Sequence, residues 1–243
     1  MRGIAIKELT KRFGNLTAVD GLNLEIREGE LFALLGVNGA GKTTTIKMLS
    51  CLMPPTSGDA VILGRSILTE KTRVKELLGV SPQESAVAPN LTVRENLELM
   101  CGIYGHSRRE SRSRADGLIR QLSLGKIEKT RAKTLSGGWQ RRLSIAMALI
   151  TEPKLLFLDE PTLGLDVLAR RELWRMIGGL KGKVTIVLTT HYLEEAEALS
   201  DRIGIMARGK LAAAGTAQEL KALTGKETFE DAFVALCEGR EQV

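Results

Sequence analysis

The sequence predicts an α/β fold with a largely parallel sheet. Short continuous apolar runs, "LFALLG", "LLFLD" and "VTIVLTT", have the composition of strands buried on both faces. The segments between them carry helical spacing, and strands alternating with helices pack as parallel units with crossover connections. The chain has 243 residues, 43% of them hydrophobic, which is enough for one large core.

In chain order, Ile4 and Ile6, then Val19, Leu22, Leu24 and Ile26, read as strands with turns at "FGN" and "REGE". "LFALLG" follows as a buried strand. "KTTTIKMLSCLM" is helical, with Ile46, Leu49 and Met53 on one face and Pro54 and Pro55 as its stop. "GVSPQ" closes a strand at Val80. The region 84–133 reads as a small helical insert. Thr92 and Glu95 form a capping box there, and Leu118, Ile119, Leu122 and Leu124 make an apolar stripe in a charged segment. Strands return at Leu155–Asp159, 184–190 and 202–216, the last with a hairpin turn at "RGK". No internal repeat or low-complexity segment interrupts the pattern.

Composition excludes several classes. No stretch approaches the roughly 18 apolar residues of a membrane helix, so a membrane role comes through a partner. The opening "MRGIAIKELTKRF" reads as a strand and not as a signal peptide. Cys51, Cys101 and Cys237 are widely spaced, which disfavours zinc and fits a reducing, cytoplasmic compartment. The net charge is +6, but aromatics are only 4% and none interleave with the basic runs, so direct nucleic-acid binding is not expected.

Gly36-Val37-Asn38-Gly39-Ala40-Gly41-Lys42-Thr43 fits the spacing of a phosphate loop between a strand and a helix. The glycines let backbone N–H groups converge at a helix N-terminus, where anions are favoured. Lys42 reaches the β- and γ-phosphates in this reading, and Thr43 ligates Mg²⁺. "LLFLDEP" ends a buried strand in two acids: Asp159 is the natural partner of the same ion, and Glu160 is placed to polarise water. His191 ends "VTIVLTTH", at another strand exit, where it can bond a phosphate oxygen or the attacking water; Gln83 leaves the strand ending at Val80, within reach of Mg²⁺ or water. His106 reads as a surface residue.

A second anion signal lies at Ser136-Gly137-Gly138, before a helix with Trp139, Leu143, Met147 and Ile150 as its apolar positions. An ordinary serine N-cap explains the same residues. The chain therefore has one phosphate loop but two anion-binding helix starts: either it binds two anions, or the second start serves a neighbour's nucleotide.

With these motifs in this order, the chain resembles the ATPase subunits of ATP-binding cassette (ABC) transporters over nearly its whole length. The resemblance implies a single domain, 1–243, with the ABC form of the P-loop NTPase fold. That fold has a RecA-like nucleotide-binding core (1–83 and 134–220), an N-terminal antiparallel β-subdomain, a helical subdomain (84–133) and a short C-terminal extension (221–243). It assigns Gly36 to Thr43 as Walker A with Thr44 also at the phosphates, Gln83 as the Q-loop, and "LSGGWQ" as the signature. "LLFLDE" becomes Walker B with Glu160 as catalytic base, "LGLD" the D-loop with Asp166, and His191 the switch histidine. Phe13 falls where the family stacks an aromatic on adenine; its alternative is a strand-end core residue. The cofactors implied are ATP and Mg²⁺, the latter held by Thr43, Gln83 and Asp159.

The resemblance also implies a dimer with ATP in the interface, where Ser136, Gly137 and Gly138 contact the nucleotide of the opposite subunit. A chain with one cassette pairs with a second copy or a second ATPase subunit. Trp139, Leu163 and Val167 depart from the commoner residues, which bears on coupling through the D-loop and not on hydrolysis. "TVRENLELMCGIYG", "HYLEEAEALSDRIGIMARGKLAAAGT" and "TFEDAFVALCEG" look like ATPases paired with small exporter permeases. The implied function is ATP hydrolysis driving export of a drug, lipid or similar molecule through a separate permease, at the cytoplasmic face of the membrane. The rival is a soluble ABC switch acting on nucleic acid or a protein complex; an importer ATPase is a weaker one. Arg108, Arg109, Arg112 and Arg114 read either as a lipid-facing patch or as a solvated helix face with Glu110 and Asp116 as local partners.

Overall fold

The computed structural model describes residues 2–239. Met1 and residues 240–243, the end of the expected extension, lie outside the described residues. The chain opens with β1 (Arg2–Phe13), β2 (Leu16–Arg27), β3 (Leu31–Leu35) and α1 (Lys42–Leu49). Then come β4 (Ser57–Ile62), β5 (Arg65–Ser66), α2 (Lys71–Lys75) and β6 (Leu78–Ser81). α3 (Val93–Ile103) and α4 (Arg108–Gln121) precede two short 3-10 turns and α5 (Gly137–Leu149). The rest is β7 (Leu155–Asp159), α6 (Val167–Gly178), β8 (Thr185–Thr190), α7 (Leu193–Leu199), β9 (Arg202–Ala207), β10 (Lys210–Gly215), α8 (Ala217–Thr224) and α9 (Phe229–Glu238).

The strands form two sheets. The first, ordered β2-β1-β4-β5, is antiparallel throughout. The second, ordered β10-β9-β3-β8-β7-β6, is parallel except for β10. Every residue of β3, β7 and β8 is buried, as the continuous apolar runs predict for strands covered on both faces. Side chains alternate between two cores with the period of two. Leu31, Ala33 and Leu35 of β3 join Leu156, Leu158, Ile186 and Leu188 on the face covered by α5 and α7. Phe32 and Leu34 join Phe157 and Val187 on the other face, with Ile46 and Met48 of α1 and Ile4, Leu22 and Ile26 of the antiparallel sheet.

The capping box forms as expected: the Thr92 hydroxyl accepts from Glu95 N–H and the Glu95 carboxylate accepts from Thr92 N–H. Leu97 and Cys101 of α3 and Ala115, Leu118 and Ile119 of α4 enter the same core as α5. Three expectations need correction. α1 ends at Leu49, well before Pro54 and Pro55. The Ser50 hydroxyl donates to the Ile46 carbonyl and Cys51 turns left-handed at φ 56°, so Met53 lies off the helix. β6 runs one residue past Val80, to Ser81. The acids of the insert do not pair with the arginines of α4. Glu110 accepts from Ser107 N–H and hydroxyl in a second capping box, and Asp116 meets Arg94 at 2.8 Å. Arg114 instead reaches Glu152 at 3.2 Å, while Arg108, Arg109 and Arg112 are exposed. The segment 57–75, which carries little pattern, supplies β4, β5 and α2. Among the described residues no helix is long and apolar enough to cross a membrane.

Candidate functional site

The parallel register brings the chemistry together. Leu35 pairs with Thr190, Asp159 with Thr189, and Ser81 with Leu158. Four neighbouring strands therefore end level, and the chain leaving each one (Gly36, Gln83, Glu160, His191) emerges along one edge of the sheet. Ligands of open parallel sheets bind at this carboxyl edge.

The loop after β3 closes tightly against the β9–β10 hairpin. A Cβ on Gly36 would lie 2.5 Å from the Met206 carbonyl oxygen, and one on Gly41 (φ 103°) would lie 2.4 Å from the Ala18 carbonyl oxygen. Gly209 N–H donates to the Ala40 carbonyl, fixing the hairpin turn under the loop. Gly41 caps α1 without a side-chain hydrogen bond, so the first N–H groups of the helix face outward. Lys42 is 5% exposed and donates to the carbonyls of Gly36 at 2.7 Å and Val37 at 3.2 Å. Burial lowers its ammonium pKa, opposed by Glu160 and Asp159.

The carboxylates face this lysine. Lys42 Nζ lies 3.5 Å from Glu160 Oε1, both side chains being buried. Asp159 Oδ1 accepts from Thr43 Oγ1 at 3.1 Å and from Thr189 Oγ1 at 2.5 Å. Glu160 N–H in turn donates to Thr189 Oγ1 at 3.0 Å. Glu160 has φ 45°, unusual for a residue with a Cβ; strain of this kind costs about 1–3 kcal/mol and concentrates at functional sites. His191 Nδ1 lies 3.2 Å from Glu160 Oε2. The approach is misaligned for a hydrogen bond, so Nδ1 is buried without a partner.

Phe13, Asn38, Gly39, Ala40, Gly41, Lys42, Thr43, Thr44, Gln83, Glu160 and His191 all line one open cavity of about 520 Å³. Gly36 and Asp159 sit beneath it through their contacts with Lys42 and Thr43. Phe13 is 46% exposed at the end of β1, which removes the core reading and leaves its ring to the cavity. Ser136, Gly137, Gly138 and Asp166 are not part of this cavity. Ser136 precedes α5 but makes no side-chain cap bond, against the plain N-cap alternative. Asp166 Oδ1 accepts from Leu168 and Ala169 N–H and caps α6.

Sequence reasoning missed Thr189 and Arg141. Thr189 aligns both acids, and its signal was the polar pair closing an apolar strand. Arg141 is buried on α5 and donates to the Pro82 carbonyl at 2.9 Å, tying that helix to the Gln83 loop. Burial lowers its guanidinium pKa, opposed by Asp159 and Glu160. Its signal was the first arginine of the Arg141-Arg142 pair, set beside an apolar helix face.

A strand, a glycine loop and a helix, with a lysine, a threonine and paired acids at neighbouring strand ends, define a P-loop nucleotide-binding protein. The particular family follows from comparison with known proteins: the chain belongs to the ABC transporter ATP-binding family, whose model, described as ABC transporter, matches residues 19–163. The chain is 42% identical over 239 residues to the probable multidrug ABC transporter ATP-binding protein YbhF of Escherichia coli (strain K12). That match covers 96% of this chain and spans 41% of the length of YbhF. The daunorubicin resistance ATP-binding protein DrrA3 of Streptomyces coeruleorubidus is 41% identical, over 93% of this chain and 72% of its own. Among solved structures, the dimeric post-hydrolysis state of the ATP-binding cassette MJ0796 bound to ADP and Pi superposes with a TM-score of 0.77 at 29% identity. It covers 88% of this chain and 98% of that one.

Proposed function

We propose that this chain is the ATP-hydrolysing subunit of an exporter, working as a dimer against a separate membrane permease at the cytoplasmic face. The observation that carries the reading is the convergence of Lys42, Thr43, Asp159, Glu160 and His191 at one edge of the sheet. ATP phosphates take the loop N–H groups and Lys42, displacing the lysine from the Gly36 and Val37 carbonyls. Adenine stacks on Phe13. Glu160 accepts a proton from the attacking water, and His191, beside it, orients that water or the γ-phosphate.

Thr43 Oγ1 and Asp159 Oδ1, 3.1 Å apart, offer hard oxygen donors beside the loop, and Gln83 lines the same cavity. Among the described residues no cluster of three or more His, Cys, Asp or Glu could cage a metal. This set fits Mg²⁺, which is held by one or two protein oxygens together with substrate phosphates. When bound there, the ion neutralises charge building on the phosphate oxygens.

The second helix start supports the dimer. Ser136, whose hydroxyl makes no cap bond to its own helix, and the adjacent Gly137 and Gly138 are left to serve the nucleotide of the opposite subunit; the similar MJ0796 cassette is dimeric. Asp166 acts there through the segment it caps. The permease docks beside the Gln83 loop, where Leu52, Val80, Pro82, Ala86, Met100 and Tyr104 line an apolar groove of about 490 Å³. Leu52 and Tyr104 are 65% and 51% exposed, the kind of apolar patch that marks an interface. The names of YbhF and DrrA3 support drug-like cargo.

Glu160→Gln tests the chemistry. Turnover falls by about a hundredfold or more while ATP binding persists, and the variant accumulates as an ATP-bound dimer by size-exclusion chromatography. Turnover at the native rate refutes the base assignment. Copurification of a stoichiometric polytopic protein from detergent-solubilised membranes tests the transport role.

A further inference from the structure

The stretch after β6 joins two surfaces with almost no hydrogen bonds of its own. Pro82 lines the apolar groove beside Leu52 and Tyr104, and Gln83 lines the nucleotide cavity. Gln83 is exposed, and neither it nor any residue from 84 to 87 makes a hydrogen bond among the described residues. The next bonded position is Ala88, whose N–H donates to Asn96 Oδ1 at 2.7 Å. The start of the loop is held by a single bond, which Arg141 Nη1 donates to the Pro82 carbonyl at 2.9 Å.

α5 is a firm platform for that bond. Arg141, Ser144 and Ala148 fall on one face at helical spacing, and that face lies along β6. Ser144 Oγ and Ser81 Oγ are 2.9 Å apart, both buried. A Cβ on Gly79 would lie 2.2 Å from the Ala148 carbonyl oxygen, so helix and strand are packed backbone to backbone. Arg141 is 8% exposed and meets no carboxylate at ion-pair distance among the described residues. A buried guanidinium without a paired acid weakens a fold that an apolar side chain would pack without that cost, so stability does not account for the arginine.

The bond acts on the peptide that leads into Gln83. A peptide unit is planar, so a fixed Pro82 carbonyl also fixes the Gln83 N–H and Cα. We propose that Arg141 is a positioning residue for Gln83: it orients the Pro82–Gln83 peptide from α5 and so directs the glutamine into the nucleotide cavity, where its amide serves Mg²⁺ or the attacking water. Arg141 touches neither nucleotide nor ion; it acts through Gln83. The proposal rests on the ATPase reading above and on the place given there to Gln83.

The test measures kcat for ATP hydrolysis in Gln83→Ala, Arg141→Met, Arg141→Lys and the double variant Gln83→Ala with Arg141→Met. ATP affinity is read by calorimetry on the Glu160→Gln background, in EDTA and in Mg²⁺, and melting temperature is read throughout. Gln83→Ala lowers kcat about tenfold or more, as expected from a small misplacement of reacting groups. Arg141→Met lowers it by a similar factor, and the double variant falls no further, because residues acting as one unit do not add. Arg141→Lys keeps a donor for the Pro82 carbonyl and recovers most of the native kcat. Affinity for ATP in EDTA stays native, while the gain on adding Mg²⁺ shrinks equally in Gln83→Ala and Arg141→Met. A merely structural arginine would lower the melting temperature and leave that gain native. Native kcat in Arg141→Met, native kcat in Gln83→Ala, or a double variant that multiplies the two single effects overturns the proposal. If Arg141→Met does not fold, Arg141→Gln, too short to reach Pro82, takes its place under the same criteria. A native chain that binds ATP but does not hydrolyse it overturns the ATPase reading instead, a result separate from the variant comparison.

Discussion

At the residue scale, few side chains bear the proposed chemistry, and each is held by burial and a specific partner. Lys42 is inserted among carbonyls and faces Glu160, so its charge is compensated before any phosphate arrives. Lys42→Ala removes charge-assisted hydrogen bonds worth about 1.5–3 kcal/mol; ATP affinity measured by calorimetry should fall about ten- to a hundredfold. Glu195 gives a pH prediction with a definite sign. Burial raises its folded pKa, so the folded chain holds the proton to higher pH than the unfolded chain, whose glutamate titrates near about 4.3. This group's contribution to stability therefore falls as pH rises from the unfolded value through the raised folded one, with the charge of Arg170 opposing the shift. Glu195→Gln carries no such dependence. Its melting temperature relative to the native chain should climb with pH across that window; a difference that is flat with pH would refute the raised pKa.

At the element scale, the phosphate loop depends on close backbone approach. Gly41 at φ 103° leaves no room for a Cβ against the Ala18 carbonyl, itself part of the strand that buttresses the loop. Gly41→Ala should displace the loop and abolish ATP binding, with a loss of thermal stability, because backbone and not a flexible side chain must move. Native affinity in that variant would show that the loop can rearrange. The capping boxes at Thr92 and Ser107 show the opposite case, in which local sequence alone sets where a helix starts. The end of α1 lies between these cases: the prolines forbid continuation, but the Ser50 hydroxyl and the left-handed Cys51 end the helix earlier.

At the scale of the whole molecule, the proposed active unit contains two chains. A Lys42→Ala subunit lacks its own phosphate grip but carries an intact Ser136 region; a Ser136→Glu subunit has the reverse defect. In the mixed dimer one of the two sites combines intact halves. An equimolar mixture should therefore show ATPase activity that neither variant shows alone. No recovery, with mixed dimers demonstrated by cross-linking, would argue against nucleotide shared between subunits. The motifs were legible in the sequence because each is local: a glycine loop, an acid pair after an apolar strand and a histidine at a strand exit need only a few residues to announce themselves. The strands of the parallel sheet were legible for the same reason, since burial on both faces writes a continuous apolar run. The antiparallel strand β4 was not, because its pattern is short and its burial comes from a partner fifty residues away in β1. By itself the sequence determined the strands of the parallel sheet, the family resemblance and the residues proposed for the nucleotide site. Only the tertiary structure decided that Phe13 faces the cavity, that Thr189 aligns both acids, that Arg141 ties α5 to the Gln83 loop, and that Glu195 is buried against Trp174 of α6. Those facts depend on strand register and on contacts between distant segments, which no local pattern encodes.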